Sequence, residues 1–240
     1  WAQYSVAGPN SRKLLQKIVD NPKDISNKNF PFMACREITI CGGVMARLFR
    51  ISFSGELAYE IAVPARYGDS LFNILLSEGK EFNAVPYGTE ALGVMRIEKG
   101  HAAGNEINGQ TTAQNLGLSR MISKKADSIG NTLSEREAFN SSDIVILSGF
   151  KPVDKKQKIE AGSHFISLDK KPIMENDEGW MSSVAFSPTL GHYIGLGFIK
   201  NGNSRLGERV LAVNLLQNKK IEVEIVSPHF IDPEGIRQRG

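Results

Sequence analysis

Only two of the 240 residues are cysteine, and no run approaches the roughly twenty apolar residues of a membrane-spanning helix. Two thiols rule out a disulfide scaffold. Cys35 and Cys41 both stand in apolar, strand-like surroundings, with no histidine at zinc-ligand spacing. They are expected to be buried free thiols in a reducing compartment, and no metal is expected. Neither charge dominates: 29 Lys and Arg stand against 26 Asp and Glu. The basic residues cluster only as pairs, Lys155–Lys156, Lys170–Lys171 and Lys219–Lys220, which argues against nucleic acid as a partner. No membrane contact is expected either. The P-loop, the dinucleotide fingerprint and the nucleophile elbow are all missing. Gly195-Leu196-Gly197 is the nearest glycine pair; without a third glycine or a following helix it reads as strand packing.

The composition present is that of a globular chain, 41% hydrophobic and 23% charged, with enough residues for one large domain or two small ones. The sequence opens at Trp1 without an initiator methionine and runs straight into an apolar alternation, as a piece of a longer polypeptide would. The lack of a leader therefore says little about location.

After an opening strand at Trp1–Val6, Ala7-Gly8-Pro9 leads into a helix with Leu14, Leu15 and Ile18 on one face, stopped by Asn21-Pro22. Arg36–Ile40 and Val44–Phe53 alternate with period two around Gly42-Gly43, which predicts a hairpin. Tyr59–Val63 reads as a third strand. Helices are expected from about Arg66 to Ser77 and from Thr89 to Lys99, the second closed by Gly100. From about Asp143 onward, Ile144–Phe150, Trp180–Phe186, Tyr193–Ile199, Val210–Val213 and Ile221–Val226 form short apolar runs between turn residues, the pattern of a small barrel or sandwich. The polar stretch Ser123–Ser142 is the natural connector.

Two residues stand out chemically. Glu60 lies between Tyr59 and Ile61 in an otherwise apolar strand. By alternation it faces solvent; alternatively it reads a ligand, since a carboxylate matches the paired N–H groups of a 2-amino-4-oxo pyrimidine edge. Arg96, four residues after the apolar Leu92, points to the packed side of its helix. It either forms a structural ion pair, with Glu98 or Glu60, or anchors an anionic group or orients the site carboxylate. Of the scattered histidines, His101, His164, His192 and His229, only His192 is placed to line a pocket, its alternative being a turn.

Phe53-Ser54-Gly55-Glu56-Leu57-Ala58-Tyr59-Glu60-Ile61, the turn Arg96-Ile97-Glu98-Lys99-Gly100, Gly104-Asn105-Glu106-Ile107-Asn108 and Thr111-Thr112 resemble segments of the glycine-cleavage T-protein family of folate-dependent aminomethyltransferases. Gly179–Ser183 and Ser187–Gly191 resemble the motif of that family's C-terminal barrel. Pro86–His101, Phe49–Glu60 and the Trp180 motif are strongly similar to the C-terminal part of the α subunits of heterotetrameric sarcosine oxidases. The resemblance covers essentially the whole chain.

It implies an α+β fold: helices on a mostly antiparallel sheet, a truncated aminomethyltransferase folate-binding domain over residues 1–125, a connector at 126–142, and a small C-terminal β-barrel at 143–240. It implies a cytoplasmic enzyme portion that binds tetrahydrofolate, with FMN, FAD and NAD in the rest of the complex and other sarcosine oxidase subunits as partners. There, an iminium derived from sarcosine is captured by tetrahydrofolate, giving 5,10-methylenetetrahydrofolate and glycine, while flavin oxidation yields hydrogen peroxide. Glu60 falls on the family's pterin-binding glutamate and Arg96 on its folate-pocket arginine; Phe53 replaces a tyrosine, and Tyr59 is core. Leu118 stands where the transferases have tryptophan, and Glu160 near a position they fill with arginine, so the resemblance stops short of the folate tail. The family's essential aspartate falls upstream of Trp1. No catalytic residue is therefore expected in this chain, which alone should be silent. The alternatives are a stand-alone aminomethyltransferase, a related folate-dependent demethylase, and a folate-fold module without chemistry.

Overall fold

The computed structural model describes residues 1–122, 130–141 and 143–240. The chain forms two compact units, Trp1–Met95 with Asp232–Gly240, and Arg96–Ile231. The sequence division at 125 differs from this one for residues 96–122, which belong with the barrel, and for the tail. Residues 126–129 and 142 of the expected connector lie outside the described residues.

The first unit is built on a four-stranded, fully antiparallel sheet in the order β1-β4-β3-β2, from β1 (Ala2–Ala7), β2 (Cys35–Ile40), β3 (Val44–Phe49) and β4 (Ala58–Val63). The period-two pattern sends Tyr59, Ile61 and Val63 of β4, Ala46 and Leu48 of β3, and Ile38 and Ile40 of β2 to one face. Helices α1 (Ser11–Gln16) and α2 (Gly68–Gly79) cover that face with Leu14, Leu15, Leu71 and Leu75. Each fully buried leucine contributes about 1.5–3 kcal/mol.

Helix α1 is shorter than the sequence suggests. It ends at Gln16, and Val19 instead bridges Ile40. The hairpin between β2 and β3 turns through Cys41, Gly42 and Gly43, all with positive φ (50°, 81° and 114°), so a cysteine shares the work expected of two glycines. Both thiols are exposed, contrary to the expectation of burial. Cys35 starts an edge strand on the face away from the core, and Cys41 is in the turn. Strand β3 stops at Phe49 rather than Phe53: at Arg50 the pairing turns irregular, its N–H donating to the Ala34 carbonyl and its carbonyl accepting from left-handed Met33. After α2, a 3₁₀ turn ends in left-handed Asn83; α3 (Thr89–Lys99) then contains the boundary between the units. In the tail, α5 (Ile236–Arg239) is a single turn whose first N–H groups are taken by Asp232.

The second unit has a short α4 (Asn131–Ser134) and a closed six-stranded barrel: β5 (Val145–Pro152), β6 (His164–Ser167), β7 (Gly179–Ser187), β8 (His192–Lys200), β9 (Arg209–Asn214) and β10 (Lys219–Val226), in the order β10-β5-β8-β7-β6-β9. Phe150, Phe165, Met181, Val210, Val223 and Ile225 fill a core cluster, with the rings of Phe150 and Phe165 stacked 4.0 Å apart. A second cluster joins Leu147, Ile194, Leu196 and Phe198 to Ile97, at the end of α3. Gly195 and Gly197 are packing glycines, as expected: a Cβ at 197 would lie 2.6 Å from the Trp180 carbonyl oxygen. Buried His192 bonds the Tyr193 carbonyl through Nδ1 at 2.8 Å, a packing role at the start of β8.

Candidate functional site

Glu60 and Phe53 belong to the first unit and Arg96 to the second. On β4, Glu60 faces away from the core, on the opposite side of the strand from Tyr59 and Ile61. It is half-buried nonetheless, because β4 is an inner strand. Its Oε2 accepts from the Gln3 side chain of β1, while Ser5 and Phe49 stand directly opposite it on the neighbouring strands. Ala58 and Ala62 flank it along β4, and both are buried. At the end of this face the Arg47 guanidinium carbon stacks 4.2 Å from the Trp1 ring centroid. Phe53 lies in the turn before β4 with its ring partly exposed.

Arg96 forms an ion pair, but with neither of the expected partners. Its Nη1 donates to Glu106 Oε2 at 2.8 Å and to the His101 carbonyl at 3.3 Å; its Nη2 donates to Ser183 Oγ at 2.7 Å. Glu98 instead accepts from Ser187 Oγ at 2.5 Å. Glu106 is fully buried and satisfied on both oxygens. Oε2 takes Arg96 and the Ala103 N–H (2.9 Å); Oε1 takes the hydroxyls of Ser182 and Ser183, both at 2.6 Å. Burial alone would raise its pKa, but the serine hydroxyls, the Ala103 N–H and the Arg96 charge outweigh it and hold the carboxyl below its ordinary value.

Consecutive serines reach one carboxylate because β7 carries a bulge. Pairing with β8 passes from Met181–Gly197 to Ser183–Leu196, leaving Ser182 extra. Arg96 thus orients a carboxylate, but that carboxylate is Glu106. In the sequence, Glu106, Ser182 and Ser183 sit inside family-like motifs with nothing to mark their role; the bulge that unites them breaks the period-two rule a sequence reader applies.

Leu118 is partly exposed, and Glu160 is held by Lys219 and by Asn214 at 3.1 Å. The barrel unit also has a cavity of about 360 Å³, lined by Ile166, Ile173, Met174, Leu215 and the His164–Asp177 pair (2.7 Å), and by none of the predicted site residues. Among the described residues no helix is long and apolar enough to cross a membrane.

An open antiparallel sheet bearing this carboxylate, followed by a closed barrel, defines a family. The family model described as GCVT N-terminal domain matches residues 1–126, and that of the glycine cleavage T-protein C-terminal barrel domain matches residues 147–232. The chain belongs to the glycine cleavage T-protein family. Within it, the chain is 45% identical over 239 residues to the sarcosine oxidase subunit alpha of Rhizobium meliloti (strain 1021), covering 99% of this chain and 24% of that protein. It is 37% identical over 245 residues to the same subunit of Corynebacterium sp. (strain P-1), covering all of this chain and 25% of the relative. The aminomethyltransferase of Listeria monocytogenes serotype 4a (strain HCC23) is 30% identical over 237 residues, 96% of this chain and 59% of that one. The crystal structure of aminomethyltransferase T from Bartonella henselae superposes with a TM-score of 0.76 at 22% identity, over 94% of this chain and 58% of that one, and so shares the fold. The chain thus spans about a quarter of the oxidase subunits' length and about three fifths of the transferases'.

Proposed function

We propose that this chain is the tetrahydrofolate-binding portion of a sarcosine oxidase α-type polypeptide, in which a one-carbon unit released by amine oxidation is captured as 5,10-methylenetetrahydrofolate. The observation that carries this reading is Glu60. It is a half-buried carboxylate aimed out of the non-core face of the sheet, with one oxygen held by Gln3. No other protein donor is seen on Glu60 among the described residues. A carboxylate so placed fits the paired N–H groups of a pterin edge. When bound, the reduced pteridine supplies the nitrogens that accept the one-carbon unit.

The chain's own work is to hold that ring in register and keep it from water, so that capture precedes hydrolysis. Glu60 fixes the pterin edge, Gln3 orients Glu60, and Phe53 is assigned to the same site by its place in the family motif, without the hydroxyl of a tyrosine. Arg96, in the second unit, holds the buried Glu106 and the loop that carries it. Oxidation of sarcosine, with its FMN, FAD, NAD and partner subunits, is assigned to the rest of such a polypeptide and complex.

The test is folinate binding to the intact polypeptide by calorimetry. Glu60→Ala should weaken binding by about 2–3 kcal/mol, a loss of roughly thirty- to over a hundred-fold, and Glu60→Gln by less. Unchanged affinity in both variants would remove Glu60 from the site. A stand-alone aminomethyltransferase is the second reading, kept by the 30% identical transferase relative. Bound flavin in the purified polypeptide decides for the oxidase, and its absence for the transferase.

A further inference from the structure

Arg50, just past β3, is 1% exposed. Its Nη1 donates to the Phe30 carbonyl at 2.7 Å and its Nη2 to the Arg239 carbonyl, while Nε is buried without a partner. Two residues on, the Ser52 hydroxyl is also buried and unpartnered. Arg12 of α1 reaches the same place: its Nε donates to the Tyr59 hydroxyl at 2.8 Å and its Nη2 to Asn27 Oδ1. The Asn27 amide in turn donates to the Gly240 carbonyl at 3.0 Å. Both guanidiniums press on residue 240, where a Cβ would stand 3.1 Å from Arg12 Nη2 and 3.1 Å from Arg50 Nη2.

Carbonyls and a phenol satisfy N–H groups, but they do not neutralise two adjacent positive charges. Among the described residues no Asp or Glu carboxylate lies within 4.0 Å of either guanidinium. Burial holds the Arg50 guanidinium below its ordinary pKa, and the Arg12 charge acts in the same sense against an opposing contribution from Tyr59. A buried cation of this kind is costly unless an anion joins it.

We propose that Arg12 and Arg50 form a receptor for one carboxylate, seated against residue 240. The receptor lies on the core side of the sheet with Tyr59, whereas Glu60 leaves from the other side. Two guanidinium ends converging on one point favour a planar carboxylate over a spherical anion, by paired parallel hydrogen bonds. This carboxylate has two sources: the α-carboxylate of a polypeptide ending at residue 240, or a carboxylate from outside these 240 residues, on a separate molecule or another part of the polypeptide.

The test compares the chain carrying a free carboxylate at residue 240 with the same chain amidated there. Thermal midpoints are measured in low salt and again with sodium acetate against sodium chloride at equal ionic strength. If the carboxylate is the chain's own, the amide melts about 2–4 °C lower, and the gap closes in Arg12→Gln. If it comes from outside, acid and amide melt together, and acetate but not chloride raises both midpoints in an Arg12-dependent way. Equal midpoints with no acetate effect overturn the proposal, as does a gap that survives Arg12→Gln. Arg50→Gln adds a second reading where it folds; the amide comparison leaves every side chain intact and does not depend on it.

Discussion

A carboxylate with no solvent exposure persists as an anion only if its lone pairs meet donors, and Glu106 meets four. Glu106→Ala leaves Arg96 buried without its anion and should cost about 3–5 kcal/mol in urea unfolding. The pH dependence has a definite sign. Because the folded-state pKa lies below the ordinary 4.5, the group's stabilisation is fully present above about pH 4.5 and is lost as the pH falls through the lowered folded value. Glu106→Gln should therefore flatten the acid side of the stability profile measured by denaturation between neutral pH and acid. Cysteine is the other residue-scale outcome. Cys35 and Cys41 are both exposed, so both should react with a maleimide in native buffer, counted by mass spectrometry; two unmodified thiols would contradict the register of β2 and its hairpin.

At the scale of elements, the closest backbone approach is between β7 and β8. Gly197→Ala would force a methyl to 2.6 Å from the Trp180 carbonyl oxygen and 3.0 Å from the Phe150 ring. The expected loss is about 1–3 kcal/mol by thermal or chemical denaturation. That glycine was readable as packing because it sits in an apolar strand run with no helix after it. Most strands were readable the same way, from apolar alternation between turn residues, but β6 was not. His164–Ser167 is only four residues long and its ladder is supplied mainly by β9, so its local sequence carries too few periods to register. Glu60 was legible because a charge in an apolar strand is locally anomalous. The Arg96–Glu106 pair was not: its acid lies on a loop, and its serines share a face only through a bulge, both consequences of tertiary placement.

At the scale of the whole molecule, one sheet is open and the other closed. The first ends in two edge strands, β1 and β2, whereas the barrel has no edge. Amide hydrogen exchange should therefore be slowest in β5, β7 and β8 and faster in the first half of β2, where among the described residues no strand lies beyond it; at its end Val19 bridges Ile40. Equal protection of β2 and β8 would mean that the outer edge of the first sheet is covered in solution.

The order of barrel strands also sets a timetable. Strand β5 ends at Pro152, yet its two neighbours, β8 and β10, begin only at His192 and Lys219. On a ribosome, the apolar Val145–Phe150 segment is made well before β10, its neighbour on one side. One edge of β5 therefore stays unpaired until β10 emerges, and closure of the barrel waits for its last strand.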